Sequence, residues 1–419
     1  MIKTRFGYTL LLWALLPFAL FRLVWRARRQ PAYLRNLAER FGYYGERPRA
    51  PLIWLHAVSV GETRAAEPLI KALQDAYPKH RVLITHMTPT GRETGAALYG
   101  DDVLRCYLPY DFPFAVRRFL DHFKPEIGAL METEIWFNLI HECQTRGTPI
   151  YLVNARLSQR SAAKYARFPD VARNGLRQLT AIAAQTNDDA RRLQSLGAAE
   201  VHVCGNLKFD IDPPQAMLAL GAQWRAGYGK RQVLLAASTR EGEEALLLDA
   251  MPNHSADSGS ADLLLVIVPR HPQRFDAVAT LLEKRGVRYR RRSENRAAAA
   301  DTQVLLGDSM GELFAYYAAC DIAFIGGSLL PLGGQNLIEA CVVGRPVIVG
   351  PHTYNFSEAT DAALNAGAAL QVDDAEQVFS TAARLFADDA RAAAIGAAGR
   401  EFAAAHRGAT GKLLALLRW

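Results

Sequence analysis

Glu62 follows a glycine at an expected strand-to-helix turn, in the run His56-Ala57-Val58-Ser59-Val60-Gly61-Glu62-Thr63. A carboxylate there has two uses. It favours the positive N-terminal end of a helix. In a cleft it can also take a proton from an alcohol as a general base. Glu132 and Glu134 close an apolar run as Glu-Thr-Glu, and period-two alternation puts both on one side if the strand continues. Such a pair can bind a metal, share a proton or orient a substrate; equally, one can act while the other is solvated. Lys208 comes just after Cys204-Gly205-Asn206 and suits an anionic substrate group. Asp210-Ile211-Asp212 has the form of a metal-binding D-x-D, but it precedes Pro213-Pro214 instead of ending a strand, so no metal is assigned to it.

The second half has a different chemistry. Pro269-Arg270-His271-Pro272 follows a strong apolar run, where the Arg270 guanidinium can fork onto a phosphate. Gly326-Gly327-Ser328 and Gly333-Gly334-Gln335-Asn336-Leu337-Ile338-Glu339 read as a strand end, a glycine-rich loop and a helix start. Glycines let backbone N–H groups approach phosphate. Asn336 and Glu339 share a helix face, and Glu339 can accept from ribose hydroxyls. Neither GxGxxG nor GxxxxGK[ST] is present, so no dinucleotide or ATPase fingerprint applies. Gly307-Asp308-Ser309-Met310-Gly311 matches the G-x-S-x-G elbow of serine hydrolases, with Asp321 and His352 following in the required order. That reading leaves the polar loops of the first half without a role.

These residues need an α/β frame. Strands are expected at 52–56, 82–85, 103–107, 127–131, 150–153, 181–184 and 201–204, with helical segments between them. A second series is expected at 233–237, 263–268, 287–289, 304–306, 322–325 and 347–349. Helical crossovers imply two doubly wound parallel sheets, and such sheets bind ligands beyond the carboxyl ends of their strands. His56 to Thr63, His86 to Glu93, Glu132 to Glu134, Asn154 with Arg156 and Ser158, and Asn206 with Lys208 would then share one sheet edge. The expected organisation is an N-terminal anchor at 1–30, a first Rossmann-like domain at 31–210, a Pro/Gly-containing linker at 211–230, and a second at 231–419 ending in Ala-rich helices. An interdomain cleft is expected from that arrangement. Residues 253–260 and 291–300 read as surface loops.

Composition narrows the class. Half of the residues are hydrophobic and 22% are charged, which excludes general disorder. A mean hydropathy of −0.04 is too low for a polytopic membrane protein. The net charge is +7, yet ten Lys/Arg and only two acids fall within residues 1–50, so the remainder is close to neutral. A nucleic-acid footprint is therefore not expected. Phe6 to Phe21 is free of charge and flanked by Lys3 and Arg5 before it and Arg22, Arg26, Arg28 and Arg29 after it. It reads as a retained anchor of marginal spanning length, because arginines, not a small-residue cleavage site, come after it. Those arginines favour a cytoplasmic location for the chain beyond the anchor and would attract anionic headgroups. Five widely spaced cysteines without C-x-x-C fit a reducing compartment.

Taken together, the segments WLHAVSVGET (54–63), ITHMTPTGRE (84–93), METEIWFN (131–138), NARLSQRS (154–161), GNLKFD (205–210), VPRHPQRF (268–275), GDSMGEL (307–313) and GGQNLIEA (333–340) resemble the Kdo (3-deoxy-D-manno-octulosonic acid) transferases of lipopolysaccharide synthesis. The resemblance implies a GT-B fold and an inverting transfer of Kdo from CMP-Kdo to a lipid A precursor, lipid IVA. It makes Glu62 the general base, assisted by Glu132 and Lys208. It assigns CMP contacts to Pro269, Arg270, Met310, Gly311, Glu312, Asn336, Leu337, Ile338 and Glu339. It implies no metal and no cofactor, CMP-Kdo being a co-substrate, and it places the chain on the cytoplasmic face of the inner membrane. Other readings are a different membrane-attached GT-B nucleotide-sugar transferase, a serine hydrolase using Ser309, and a non-catalytic lipid-binding or scaffold protein.

Overall fold

Apolar runs that are buried from end to end cannot be half-exposed strands; they belong in parallel sheets covered on both faces. The computed structural model describes residues 4–28, 30–252, 263–296 and 298–417. The first sheet contains β1 (Leu52–His56), β2 (Arg81–His86), β3 (Val103–Tyr107), β4 (Ile127–Met131), β5 (Ile150–Ala155), β6 (Ala181–Ala184) and β7 (Val201–Val203). Its order is β3-β2-β1-β4-β5-β6-β7. The second contains β8 (Gln232–Thr239), β9 (Leu263–Pro269), β10 (Tyr289–Arg291), β11 (Val304–Leu306), β12 (Ile322–Ile325), β13 (Val347–Val349) and β14 (Ala369–Gln371). Its order is β10-β11-β9-β8-β12-β13-β14. Every pairing is parallel. The strand expected at 287–289 lies two residues later, and β14 was not anticipated.

Alternation sorts the first sheet's side chains onto two cores. Leu52 and Trp54 face Phe119, Leu130 and Leu139. Ile53 and Leu55 face the opposite way, towards Leu69, Ile84 and Met131. Gly128 on β4 leaves room for the Trp54 indole, because a Cβ there would lie 2.7 Å from Trp54 Cε3 and 2.6 Å from Ile150 Cδ1. The second unit has its own core, around Leu234, Leu265, Ile322 and Phe324.

Two expected boundaries move. The compact units are residues 1–210 with 407–419, and 211–406. The C-terminal segment therefore joins the first unit, not the second. Leu413 and Leu417 pack into the core of Ile53 and Leu55. Asp210 accepts from the backbone N–H groups of Gly408 and Thr410 at the start of that last helix. The expected linker is largely the helix Gln215–Gly227, packed in the second unit, with Trp224 5.0 Å from the Tyr316 ring. Pro213-Pro214 opens this helix and glycines close it, which is helix punctuation, not linker composition. The loop expected at 253–260 lies outside the described residues. At 291–300, Arg291 ends β10 and a short turn of 3₁₀ helix, Arg292–Glu294, comes next.

Gly128→Ala should overpack the interface between β4 and Trp54. A loss of about 1–3 kcal/mol is expected, measured by denaturant unfolding.

Candidate active site

The first sheet reverses its strand order between β1 and β4, and a reversal of this kind opens a crevice at the carboxyl edge. The loops after those two strands carry Glu62 and Glu132. Ser59 caps the helix Val60–Ala65, its Oγ accepting from the Glu62 N–H. Glu62, three residues on, reaches back. Its Oε1 accepts from Ser59 Oγ at 2.8 Å and its Oε2 from Val58 N–H at 2.9 Å. The spacing is that of a Ser-x-x-Glu cap, but the carboxylate takes the N–H of Val58, one residue before the cap, and so serves the turn. The residue is only 9% exposed. Burial, then the neighbouring Glu132 and more weakly Glu134, push its pKa up to about 7, against the two hydrogen bonds. Glu62 is thus poised near neutrality, not firmly ionised. Its capping and proton-accepting uses are compatible.

The turn beneath it is fixed from β2. His86 Nδ1–H donates to Ala57 O at 2.9 Å, and Thr88 Oγ1 donates to Val58 O at 3.0 Å. Burial lowers the pKa of His86 to about 4 and that of His56 to about 3, so both rings are neutral structural donors. Arg92 is used nearby, forking onto Glu39.

β4 stops at Met131, and Glu132 takes a left-handed conformation with φ 57°. The strand does not continue, so period-two alternation is not what relates the two glutamates. Glu132 instead pairs with Lys208 (Oε1 to Nζ 3.6 Å), while Glu134 accepts from Trp136 Nε1 at 2.6 Å. Burial raises the Glu134 pKa. Lys208 is aimed by a polar scaffold across three strand ends. Asn154 Oδ1 accepts from Leu207 N–H, Asn206 Oδ1 accepts from Lys208 N–H, and Asn206 Nδ2 donates to Gln185 Oε1. Gln185 also donates to Asn154 O. Gln185 went unrecognised in the sequence, although a polar residue at the end of β6 before the capping Thr186 was its signal. Ser158 caps its own helix. Asp210 is a helix cap. Among the described residues, no three or more His, Cys, Asp or Glu side chains are grouped to hold a metal ion.

In the second unit the glycine-rich loop is occupied from within. The buried Glu243 carboxylate accepts from the N–H groups of Gly327, Ser328 and Leu329, and from that of Arg240. The amides of 327 and 328, expected to face a phosphate, are already satisfied. Close backbone packing explains the glycines: a Cβ on Gly326 would lie 2.6 Å from Thr239 Cα. The other residues expected to contact a nucleotide sit at the carboxyl edge. Pro269 ends β9 and Arg270 comes next, its N–H donating to Thr239 O. Met310, Gly311 and Glu312 lie between β11 and the helix Leu313–Ala319; Met310 is exposed and Glu312 pairs with Arg292. Asn336 Oδ1 accepts from Ile338 N–H and its Nδ2 donates to Glu339, while Leu337 and Ile338 are buried. Burial, and then the Glu339 carboxylate, hold the Tyr317 hydroxyl well above its usual pKa, while Arg270 acts the other way. Ser309 has no hydrolase geometry: its Oγ pairs with Tyr316 Oη at 3.0 Å, and Asp321 binds Arg225 and Val233 N–H.

Two units, each built on a seven-stranded parallel sheet, are the two halves of a GT-B fold. A solved glycosyltransferase from Rickettsia africae has this fold, with TM-score 0.56 and 14% identity over 88% of this chain and 98% of that one. The family model 3-Deoxy-D-manno-octulosonic-acid transferase (kdotransferase) matches residues 35–211. The 3-deoxy-D-manno-octulosonic acid transferase of Bordetella pertussis is 45% identical over 98% of both chains. The Haemophilus influenzae enzyme of the same name is 39% identical over 99% of this chain and 98% of its own. The chain belongs to the 3-deoxy-D-manno-octulosonic acid transferase family.

Glu243→Gln turns an amide N–H₂ towards backbone donors. A loss of about 2–3 kcal/mol is expected in the denaturant unfolding of the second unit, with the first unit's transition unmoved.

Proposed function

We propose that this enzyme transfers Kdo from CMP-Kdo to the sugar headgroup of a lipid A precursor, lipid IVA, at the cytoplasmic face of the inner membrane. The observation that carries the reading is the Glu62 carboxylate: buried at the β1–β4 crevice, tied down at both oxygens and poised near pH 7. Each oxygen keeps a lone pair for an incoming hydroxyl proton. The acceptor hydroxyl loses its proton to Glu62, and its oxygen forms the new bond to the anomeric carbon of Kdo. The bond to the CMP phosphate oxygen breaks on the opposite side, so the anomeric centre inverts. CMP leaves as a phosphate monoester, its charge met by Arg270.

The first unit handles the acceptor and the proton. Lys208, aimed by Asn154, Asn206 and Gln185 and paired with Glu132, supplies positive charge for the anionic donor sugar. The second unit handles CMP through Pro269-Arg270, Met310-Gly311-Glu312 and Asn336 to Glu339. No metal takes part, so activity should withstand EDTA. The apolar helix Arg5–Ala27 and the basic residues around it support the membrane location.

Incubation with CMP-Kdo and tetraacylated lipid A precursor, read by mass spectrometry of the lipid, tests the whole scheme and counts the Kdo units added. Glu62→Gln should lower kcat by about 10²–10⁴-fold while CMP still protects against thermal unfolding. A variant that transfers Kdo at the normal rate would remove Glu62 as base. Protection by UDP instead of CMP would indicate a different nucleotide sugar. Turnover should climb with pH through about 7 as Glu62 loses its proton, a limb absent from whatever activity Glu62→Gln retains.

A further inference from the structure

The helix Arg5–Ala27 is long and apolar enough to cross a bilayer, but the first unit holds it at both ends. Near its start, Tyr8 Oη donates to Asp111 Oδ2 at 2.9 Å and Thr9 Oγ1 donates to Asn138 Oδ1 at 3.1 Å. Arg5 Nη1 donates to the same Asn138 oxygen, and Trp13 packs 4.6 Å from the Phe112 ring. Asp111 and Asn138 are themselves buried and further fixed by backbone groups, Asp111 accepting from the N–H groups of Asn138 and Leu139. Beyond its end, Ala32 and Arg35 line a cavity of about 460 Å³ with Arg81, Arg92, Glu93, Asp101 and Arg105, beside the β3 edge of the sheet. Only four residues separate Ala27 from Ala32.

The covered positions run the whole length of the helix. Tyr8, Leu12, Leu16 and Leu20 are half-buried, and Leu23 and Ala27 are buried. At about 100° per residue these six keep to one sector of about 120°. The other side carries Leu10, Leu11, Phe18, Phe21 and Trp25, all exposed, with Phe18 at 64% and Phe21 at 68%. A helix fastened at both ends to one folded unit cannot carry its ends to opposite sides of a bilayer core about 30 Å thick. It can press one apolar face into the headgroup and acyl boundary. Charge selects the surface. Arg22, Arg26 and Arg28 stand exposed on the helix and its cap.

We propose that this helix lies in the plane of an anionic bilayer surface, held at its start by Asp111 and Asn138 and brought back to the first unit at its end by the short segment before Ala32, and does not span the membrane. The inference rests on the membrane location proposed above and specifies its mode.

Thr4→Cys and Arg28→Cys, made singly in the full chain, test it with a membrane-impermeant maleimide; the five native cysteines are buried. Both positions should label in inside-out membrane vesicles and neither in right-side-out ones. Labelling of the two positions from opposite sides would overturn the in-plane mode and leave the membrane location standing. Recovery of the full chain in the soluble fraction would overturn both. Purified enzyme should bind phosphatidylcholine vesicles containing phosphatidylglycerol far better than phosphatidylcholine alone. Arg22→Gln and Arg35→Gln should each lower that partition about fivefold. Equal binding to both vesicles would overturn the anionic surface. A concentration-dependent dimer that ignores vesicles would overturn the proposal in favour of a second copy covering the helix.

Discussion

The Glu62 carboxylate and the turn it closes are mutually dependent. Val58 and Ser59 hold the carboxylate, and the carboxylate in turn satisfies the Val58 N–H of the turn before the helix. His86 and Thr88 lock the same turn from the neighbouring strand. The carboxylate is therefore a part of the backbone architecture, not a side chain hung over a crevice. Its orientation is as rigid as β1 and β2 beneath it. Rigid placement is what general-base catalysis needs, since a proton must be taken within hydrogen-bond reach.

The second unit uses the same device with a different outcome. Glu243 also turns a carboxylate onto backbone N–H groups at a strand reversal, here between β8 and β12. There the internal anion takes the place that a phosphate takes in many glycine-rich loops, so the loop is organised before any ligand arrives. Arg270 and the segment Asn336 to Glu339 are left as the groups of that edge with chemistry to offer a nucleotide.

Strand runs and most site positions were legible because parallel strands are apolar throughout and because polar residues collect where such strands end. β1, β3, β4, β6, β11, β12 and β13 stand at their expected bounds. Three features were not legible, each for a physical reason. Pro213-Pro214 and the glycines after it punctuate a helix as readily as a linker, and only the packing of Trp224 on Tyr316 decides between them. The last helix belongs with the first unit through Leu413, Leu417 and Asp210, contacts that span about half the chain. Glu243 looks like any acid in a first helical turn; its partners lie more than eighty residues away. The relation between Glu132 and Glu134 was misjudged because alternation holds only while a strand continues, and Glu132 is left-handed.

Gathering carboxylates has a thermodynamic consequence for the first unit. Glu62 is held near pKa 7 against an ordinary value of 4.5. Between those two values the folded state binds a proton that the unfolded chain has already released. Stability from this group is therefore greatest below about pH 4.5 and declines as pH rises towards 7. The left-handed Glu132 adds backbone strain at the same place. Lys208 opposes the accumulation of negative charge through its pair with Glu132, and it is tied by Asn206 and Asn154 to strand ends remote from Glu62. The scaffold of Asn154, Gln185 and Asn206 therefore sets the charge balance beside Glu62 as well as the position of Lys208.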